Sequence, residues 1–248
     1  MRTALPAIAA LVAACQDQLG DIDGVFYDGD RRTVHCAVNL DTSARNDLAS
    51  IDTALDRAAA RAEVVELYAH SPGNTVPLAT LRHVLEGARA RGLAFVTYRD
   101  FADGGGTGPG LALSLDDHTV AEWVAARELF AEFGARLTFF VSRYTSMNDD
   151  QRAGLRTLAD DGHDIEAHSV AHLRAPLYVE QHGVTAYLDD EVLPALDAME
   201  RDGFPIRAFA YPFGARTGET DRALLRHVEV LRSVAFSFGG IVQSPCPH

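Results

Sequence analysis

The sequence predicts an α/β fold of parallel strand–helix units, preceded by a short β-hairpin and one helix. Three observations predict it. From Val64 onward, short apolar runs alternate with amphipathic stretches six or seven times. Several of those stretches stop at a glycine, namely Gly92, Gly134 and Gly162, as helix ends prefer. Polar clusters then fall directly after three of the apolar runs, where parallel β/α folds gather their chemistry. An open doubly wound sheet and a closed barrel both fit this rhythm.

Composition agrees with a packed domain. The chain has 248 residues, long enough for one large core or two small ones, with 47% hydrophobic and 23% charged residues. All 22 basic residues are arginine, against 35 acidic ones, for a net charge of −13. Such a surface repels phosphate backbones, so nucleic acid is not an expected partner. No apolar run is long enough to span a bilayer.

The elements follow in order. "MRTALPAIAALVAACQDQ" carries one Arg, an apolar stretch from Ala4 to Ala14, and then Cys15. Its end resembles a bacterial lipobox, which implies cleavage after residue 14 and a lipid on Cys15. An ordinary secretory signal and an amphipathic first helix are the alternatives. Outside the cytoplasm, Cys36 and Cys246 could pair as a disulfide. Residues 22–40 alternate around Asp28-Gly29 and predict the hairpin. "SARNDLASIDTALDRAAARA" predicts a helix.

Strands are predicted at "VVELYA", "LAFVTY", "LALSL", "ARLTFFV", "HDIEA", "IRAFAYP" and "VLRSVAF", with helices between most of them. The glycine-rich "DGGGTGPG" precedes a strand, whereas a phosphate loop follows one, so it is a connector. Trp123 is expected in the core, and Arg31, Arg32 and His227 at the surface.

The clusters after the strands carry the chemistry. "LALSL" runs into Asp116-Asp117-His118, "HDIEA" into His168-Ser169-Val170-Ala171-His172, and "IRAFAYP" into Phe213-Gly214. Adjacent carboxylates repel each other unless a cation offsets the charge. Two imidazoles and one carboxylate, with a position left for water, are a usual set for catalytic zinc. The second carboxylate is then placed to act as general base. Taken singly, an Asp-Asp pair or a His-x-x-x-His spacing is more often plain surface polarity. Ser169 has no general-base partner and fits the turn as a spacer.

Together these stretches resemble the polysaccharide deacetylases (the NodB homology domain, carbohydrate esterase family 4). "LALSLDDH" is similar to that family's Asp-Asp motif, "GHDIEAHSVAH" to its His-Ser/Thr-x-x-His motif, "ARLTFFV" to the strand between them and "FAYPFG" to its third motif. The resemblance covers about residues 64–236. "FAYP" resembles an exported poly-N-acetylglucosamine deacetylase branch.

The resemblance implies a distorted (β/α)7 barrel over residues 63–248; a 22–62 extension precedes it, and the lipobox-like stretch marks residues 1–14 as a signal peptide. It implies Asp116 as general base and Asp117, His168 and His172 as ligands of a divalent metal, zinc foremost, with cobalt, nickel or iron suiting the same donors. The metal would activate a water against an acetyl carbonyl, N-acetyl before O-acetyl, and the Phe213 N–H would join the metal in holding the oxyanion. Tyr211, Pro212 and His70 would line the substrate cleft. The implied partner is an acetylated polysaccharide, met by a monomeric enzyme exported to the periplasm or cell surface and lipid-anchored to the outer membrane.

Two departures stand out. Ala210 occupies the place of the family Arg that orients the base, and no counterpart of the terminal catalytic His follows Phe236, leaving His248 as the candidate acid. A metal-containing glycan-binding protein with weakened turnover is therefore the rival reading, and a hydrolase of non-sugar C–N bonds a third.

Overall fold

The computed structural model describes residues 19–238 and 241–243, with side chains through residue 235. Its strands are β1 (Phe26–Tyr27), β2 (Val34–Asn39), β3 (Val64–Ala69), β4 (Ala94–Val96), β5 (Gly110–Asp117), β6 (Thr138–Val141), β7 (Asp164–Ala167), β8 (Ala208–Ala210), β9 (Val230–Phe238) and β10 (Ile241–Gln243). The helices are α1 (Leu48–Arg61), α2 (Leu78–Ala90), α3 (Tyr98–Ala102), α4 (Val120–Ala125), α5 (Arg127–Phe133), α6 (Asp149–Asp160), α7 (Ala175–His182), α8 (Val184–Tyr187), α9 (Leu193–Arg201) and α10 (Gly218–Leu224).

Strands β2, β9, β8, β7, β6, β5 and β3 pair in that order, all parallel, and β3 pairs back with β2. The sheet is thus a closed seven-stranded barrel, as the resemblance implied. Closure removes the free edges that an open sheet would expose.

Strand periodicity sorts the side chains. On β3, Val65, Leu67 and Ala69 point out to the helices, while Val64, Glu66 and Tyr68 point in. On β5, Leu111, Leu113 and Leu115 face out, which turns Ala112, Ser114 and Asp116 inward. On β9, Leu231 and Ala235 face out, and Val230, Arg232 and Val234 face in. The outer set joins the helices in one large apolar core around Trp123, Phe130, Phe139 and Met199. Trp123 is fully buried, as expected.

The interior is unusually polar. Glu66 and Glu166 are fully buried. Glu66 accepts from the Tyr98 hydroxyl (2.8 Å) and bonds His35 Nδ1 (2.9 Å); Glu166 accepts from the Ala208 and Arg207 N–H groups (2.8 and 2.9 Å). Burial and the neighbouring Asp164 push Glu166 well above the usual carboxylate range. Helix α3 closes the end of the barrel opposite the strand C-termini, inserting Tyr98 and Phe101 among Val64, Ala112, Phe140, Ala208 and Val230.

Two sequence expectations are corrected. Residues 22–40 do not form a hairpin: β1 pairs antiparallel with the start of β3 (Phe26 opposite Val65), and β2 lies between β3 and β9 as a full stave. The apolar alternation is real, but its hydrogen bonds go to strands distant in sequence. "LAFVTY" is not a stave either. β4 is three residues long and pairs only with the start of β5, because Thr97 and Asp100 form a capping box that starts α3 there.

His163, just before β7, packs edge-on against Phe130 and Phe139 and accepts the Leu137 N–H on Nδ1 (3.2 Å). Burial pushes its pKa down to about 4. The unfolded chain therefore binds this proton more readily than the folded one, and stability is full above the unfolded value of about 6.5 and falls as the pH drops towards 4. The loss from this group reaches roughly 3 kcal/mol at pH 4. His163→Gln, which keeps an acceptor but does not titrate, should lose less stability between pH 7 and pH 4.5 in denaturant titrations. An unchanged loss would contradict this role for His163.

Candidate active site

The strand C-termini open on one face, and the predicted residues meet there. Asp117 ends β5, and the loop after β7 carries His168 and His172. His172 Nε2 lies 3.2 Å from His168 Nε2 and 3.2 Å from Asp117 Oδ1, and His168 Nε2 lies 3.8 Å from the same oxygen. Five non-glycine residues on this face have positive φ: Asp117 (87°), Arg143 (58°), Ser169 (71°), His172 (62°) and Phe213 (60°). Such conformations disfavour L-residues and concentrate where a site needs a side chain aimed against local preference.

The donor set fits a small divalent cation. One ligand atom from each of Asp117, His168 and His172 falls within 4.8 Å of the others. A tetrahedral centre with bonds of about 2.0–2.1 Å has edges of about 3.3–3.4 Å, close to these separations. His168 Nδ1 donates to the Ala210 carbonyl (2.8 Å), which leaves Nε2 as a lone-pair donor facing the triad. Burial lowers the pKa of both imidazoles, for His168 together with the charges of Arg232 and His172. Both are therefore neutral near pH 7, the form that binds metal.

Asp116, on β5, is buried. Its Oδ2 is ion-paired with Arg232 Nη2, and its Oδ1 is buried without a hydrogen-bond partner among the described residues. Arg232 is itself buried, its guanidinium set against the Tyr68 and Phe140 rings at 4.8 and 5.1 Å. The arginine that Ala210 lacks thus arrives from the neighbouring strand: in the β8–β9 register, Arg232 is the residue opposite Ala210. An arginine inside the apolar run "VLRSVAF" was the available signal, since a charge in a buried strand implies a partner.

His70, at the end of β3, stands on the rim of this face, and its Nδ1 is bonded to Asp41 Oδ2. Thr75 donates to the other Asp41 oxygen (2.8 Å), and the Trp123 indole N–H fixes the His70 carbonyl (2.8 Å). Burial opposes both charges, yet the bond between the partners and the surrounding attractions together outweigh it. Asp41 is held below the usual carboxylate range, and His70, aided by Asp116 and Asp117, is raised above the usual imidazole range.

Two predicted cleft residues are corrected. Tyr211 and Pro212 are buried, and the Tyr211 hydroxyl donates to Asp221 (3.0 Å). Tyr211 follows the outward parity of Phe209, so it braces the turn from behind. Phe213 itself is half-exposed, its ring 4.7 Å from that of His172 and under the Arg174 guanidinium. Its N–H has no partner among the described residues. Gly214 lets this turn press on β9: its φ is 63°, and a Cβ there would lie 2.8 Å from the Val234 nitrogen. Cys36 is buried on β2 and disulfide-bonded, whereas Cys15, Cys246 and His248 lie outside the described residues.

A closed parallel barrel thus carries a carboxylate–imidazole triad and a separate buried carboxylate at one mouth, a donor set able to hold a cation beside a second carboxylate. The polysaccharide deacetylase family matches residues 103–229, just over half of the chain, and the chain belongs to that family. Among solved structures it is similar to IcaB from Ammonifex degensii, at 17% identity and a TM-score of 0.57, over 69% of this chain and 84% of that one. It is also similar to the Streptococcus pyogenes deacetylase PplD (18% identity, TM-score 0.50, 57% of this chain and 65% of that one). A third likeness is to a de-N-acetylase from Aggregatibacter actinomycetemcomitans (13% identity, TM-score 0.50, 67% and 79%). No curated protein sequence matches the chain.

Breaking a buried ion pair on one side leaves an uncompensated charge. Arg232→Met should destabilise the protein by about 3–5 kcal/mol, and Arg232→Met with Asp116→Asn by clearly less than the two single losses together. Denaturant unfolding of the four proteins measures this, and strict additivity would refute the coupling.

Proposed function

We propose that this protein is a metal-dependent hydrolase that removes N-acetyl groups from an exported polysaccharide. The observation that carries the proposal is the division of labour between the neighbouring carboxylates. Asp117 faces the imidazoles, while Asp116 is tied on one oxygen by Arg232 and has no partner for the other among the described residues. Family membership supports deacetylation of a polysaccharide. The likeness to a de-N-acetylase favours an acetamido sugar, and a disulfide at Cys36, with the leader-like stretch before Cys15, favours action outside the cytoplasm.

Asp117, His168 and His172 would hold the cation, which when bound acidifies a water and polarises the acetyl carbonyl. Asp116 Oδ1 accepts the proton of the attacking water, with Arg232 fixing the plane of the carboxylate. The Phe213 N–H donates to the oxygen that gains charge as the carbonyl carbon becomes tetrahedral. His70, kept protonated by Asp41, gives its proton to the departing nitrogen, so that the C–N bond breaks to acetate and a free amine. The rival reading, a binding protein without turnover, was motivated by the missing Arg and missing acid; Arg232 and His70 in these positions favour turnover instead.

Purified, metal-loaded protein should release acetate from N-acetylglucosamine oligomers and lose this with a chelator, regain it on adding zinc or cobalt, and lack it as Asp116→Asn. In cell fractions the activity should sediment with membranes and leave them as Cys15→Ala. No acetate from any acetylated glycan would sink the activity, and activity confined to the wild-type soluble fraction would sink the location.

The acid assignment has its own signature. His70→Gln should cut kcat by about 10²–10⁴-fold. Because His70 is raised above about 6.5, the alkaline limb of the wild-type kcat profile should lie above that pH, and Asp41→Asn should move it to lower pH. A limb that stays in place in Asp41→Asn would rule this pairing out as the source.

A further inference from the structure

We propose that Glu191 is a positioning residue for the metal centre, acting through the loop that carries His172. The inference rests on reading Asp117, His168 and His172 as metal ligands. Glu191 lies in a five-residue π-helical segment, Leu188–Val192, between α8 and α9. Pro194 accounts for the break: it has no N–H for the Asp190 carbonyl, so a regular α-helix cannot run through. π-Bulges of this kind recur at functional sites.

The bulge turns Glu191 onto the loop after β7. Its backbone carbonyl accepts the Val170 N–H (2.9 Å). Its carboxylate accepts the Ala171 N–H on both oxygens (3.2 and 3.0 Å) and the Leu173 N–H on Oε2 (3.4 Å). The carboxylate is buried, with no cation paired to it among the described residues. Its charge is met by backbone N–H groups in a nest, an arrangement that holds an anion and fixes the chain around it.

The two imidazoles differ in a way that makes this matter. His168 sits at a strand end, and its ring is set by the Ala210 carbonyl. His172 sits in the loop at positive φ, and no group among the described residues bonds its Nδ1. Beyond its contacts with Asp117, His168 and the Phe213 ring, its orientation therefore depends on the backbone that carries it. Three restraints hold that backbone: the Ser169 hydroxyl on the His172 N–H (3.0 Å), and Glu191 on either side at Ala171 and Leu173. Groups that orient a ligand from behind typically change metal affinity by about 10–100-fold when removed.

The test is cobalt(II) binding to metal-stripped full-length protein, followed by d–d absorption, with the thermal transition of the metal-free protein measured alongside. Glu191→Ala should stay folded and bind cobalt about 10–100-fold more weakly. Glu191→Gln, which keeps one acceptor of the same reach, should fall between it and wild type. A folded Glu191→Ala that binds within twofold of wild type overturns the proposal. If the alanine variant does not fold, Glu191→Gln decides by the same criterion. Asp117→Ala and His168→Ala separate the two levels of failure. If they too bind cobalt as wild type does, the triad reading falls; if they lose binding while the Glu191 variants do not, only the role of Glu191 falls.

Discussion

The ion pair of Arg232 and Asp116 is the constraint around which the barrel interior is organised. A seven-stranded barrel has room for side chains but none for bulk water, so each inward polar group must be answered by a neighbour inside. Arg232 has Asp116 above it and the rings of Tyr68 and Phe140 beside it. Glu66 is answered by His35 and Tyr98, and Glu166 by two backbone N–H groups. Hydrophobic side chains of similar volume would hold such a barrel at least as well. The polar filling is therefore better explained by the mouth of the barrel, where Arg232 holds the Asp116 carboxylate in place beneath an open face.

The two ends of the barrel divide stability from chemistry. At the closed end, α3 fills the bore with Tyr98 and Phe101, and Arg99 ties it to Asp164 on β7 (2.8 Å). At the open end, five non-glycine residues accept unfavourable backbone angles. That strain is sustained because each strained turn is fastened from several sides: Asp117 through its carbonyl to the Ser142 N–H (2.7 Å), Ser169 through its carbonyl to the Arg143 N–H (3.1 Å), and Phe213 through the neighbouring Gly214 against β9.

Much of this was legible in the sequence, and the reasons for the rest are physical. That Asp116, Asp117, His168 and His172 lie on one face could be read because each cluster sits immediately after an apolar run, at the strand ends that a parallel fold gathers together. No local pattern assigns Arg232 a partner, since Asp116 is 116 residues away and the strand around it is mostly apolar. Asp41 and His70 are 29 residues apart at the ends of two strands whose pairing no local signal reveals. The hairpin failed for the same reason in reverse. Alternation and an Asp-Gly turn describe two extended segments, but tertiary pairing decided that they bond to β3 and β9 rather than to each other. Tyr211 was placed in the cleft by its motif, whereas strand parity, counted from Phe209, turns it away.

One short pairing has a wider reach than its three residues suggest. Along β8 and β9, Ala210 lies opposite Arg232. The carbonyl of Ala210 sets the His168 ring, and the guanidinium of Arg232 sets the Asp116 carboxylate. The imidazole side and the carboxylate side of the site are thus set by a single backbone gauge. Because strand faces alternate, a slip of one residue would turn Arg232 outward and bring Leu231 or Ser233 into the bore. Misalignment would then be a common-mode fault, disabling both halves together. Insertions in the connection from α10 to β9 are tolerable only if they leave that gauge untouched.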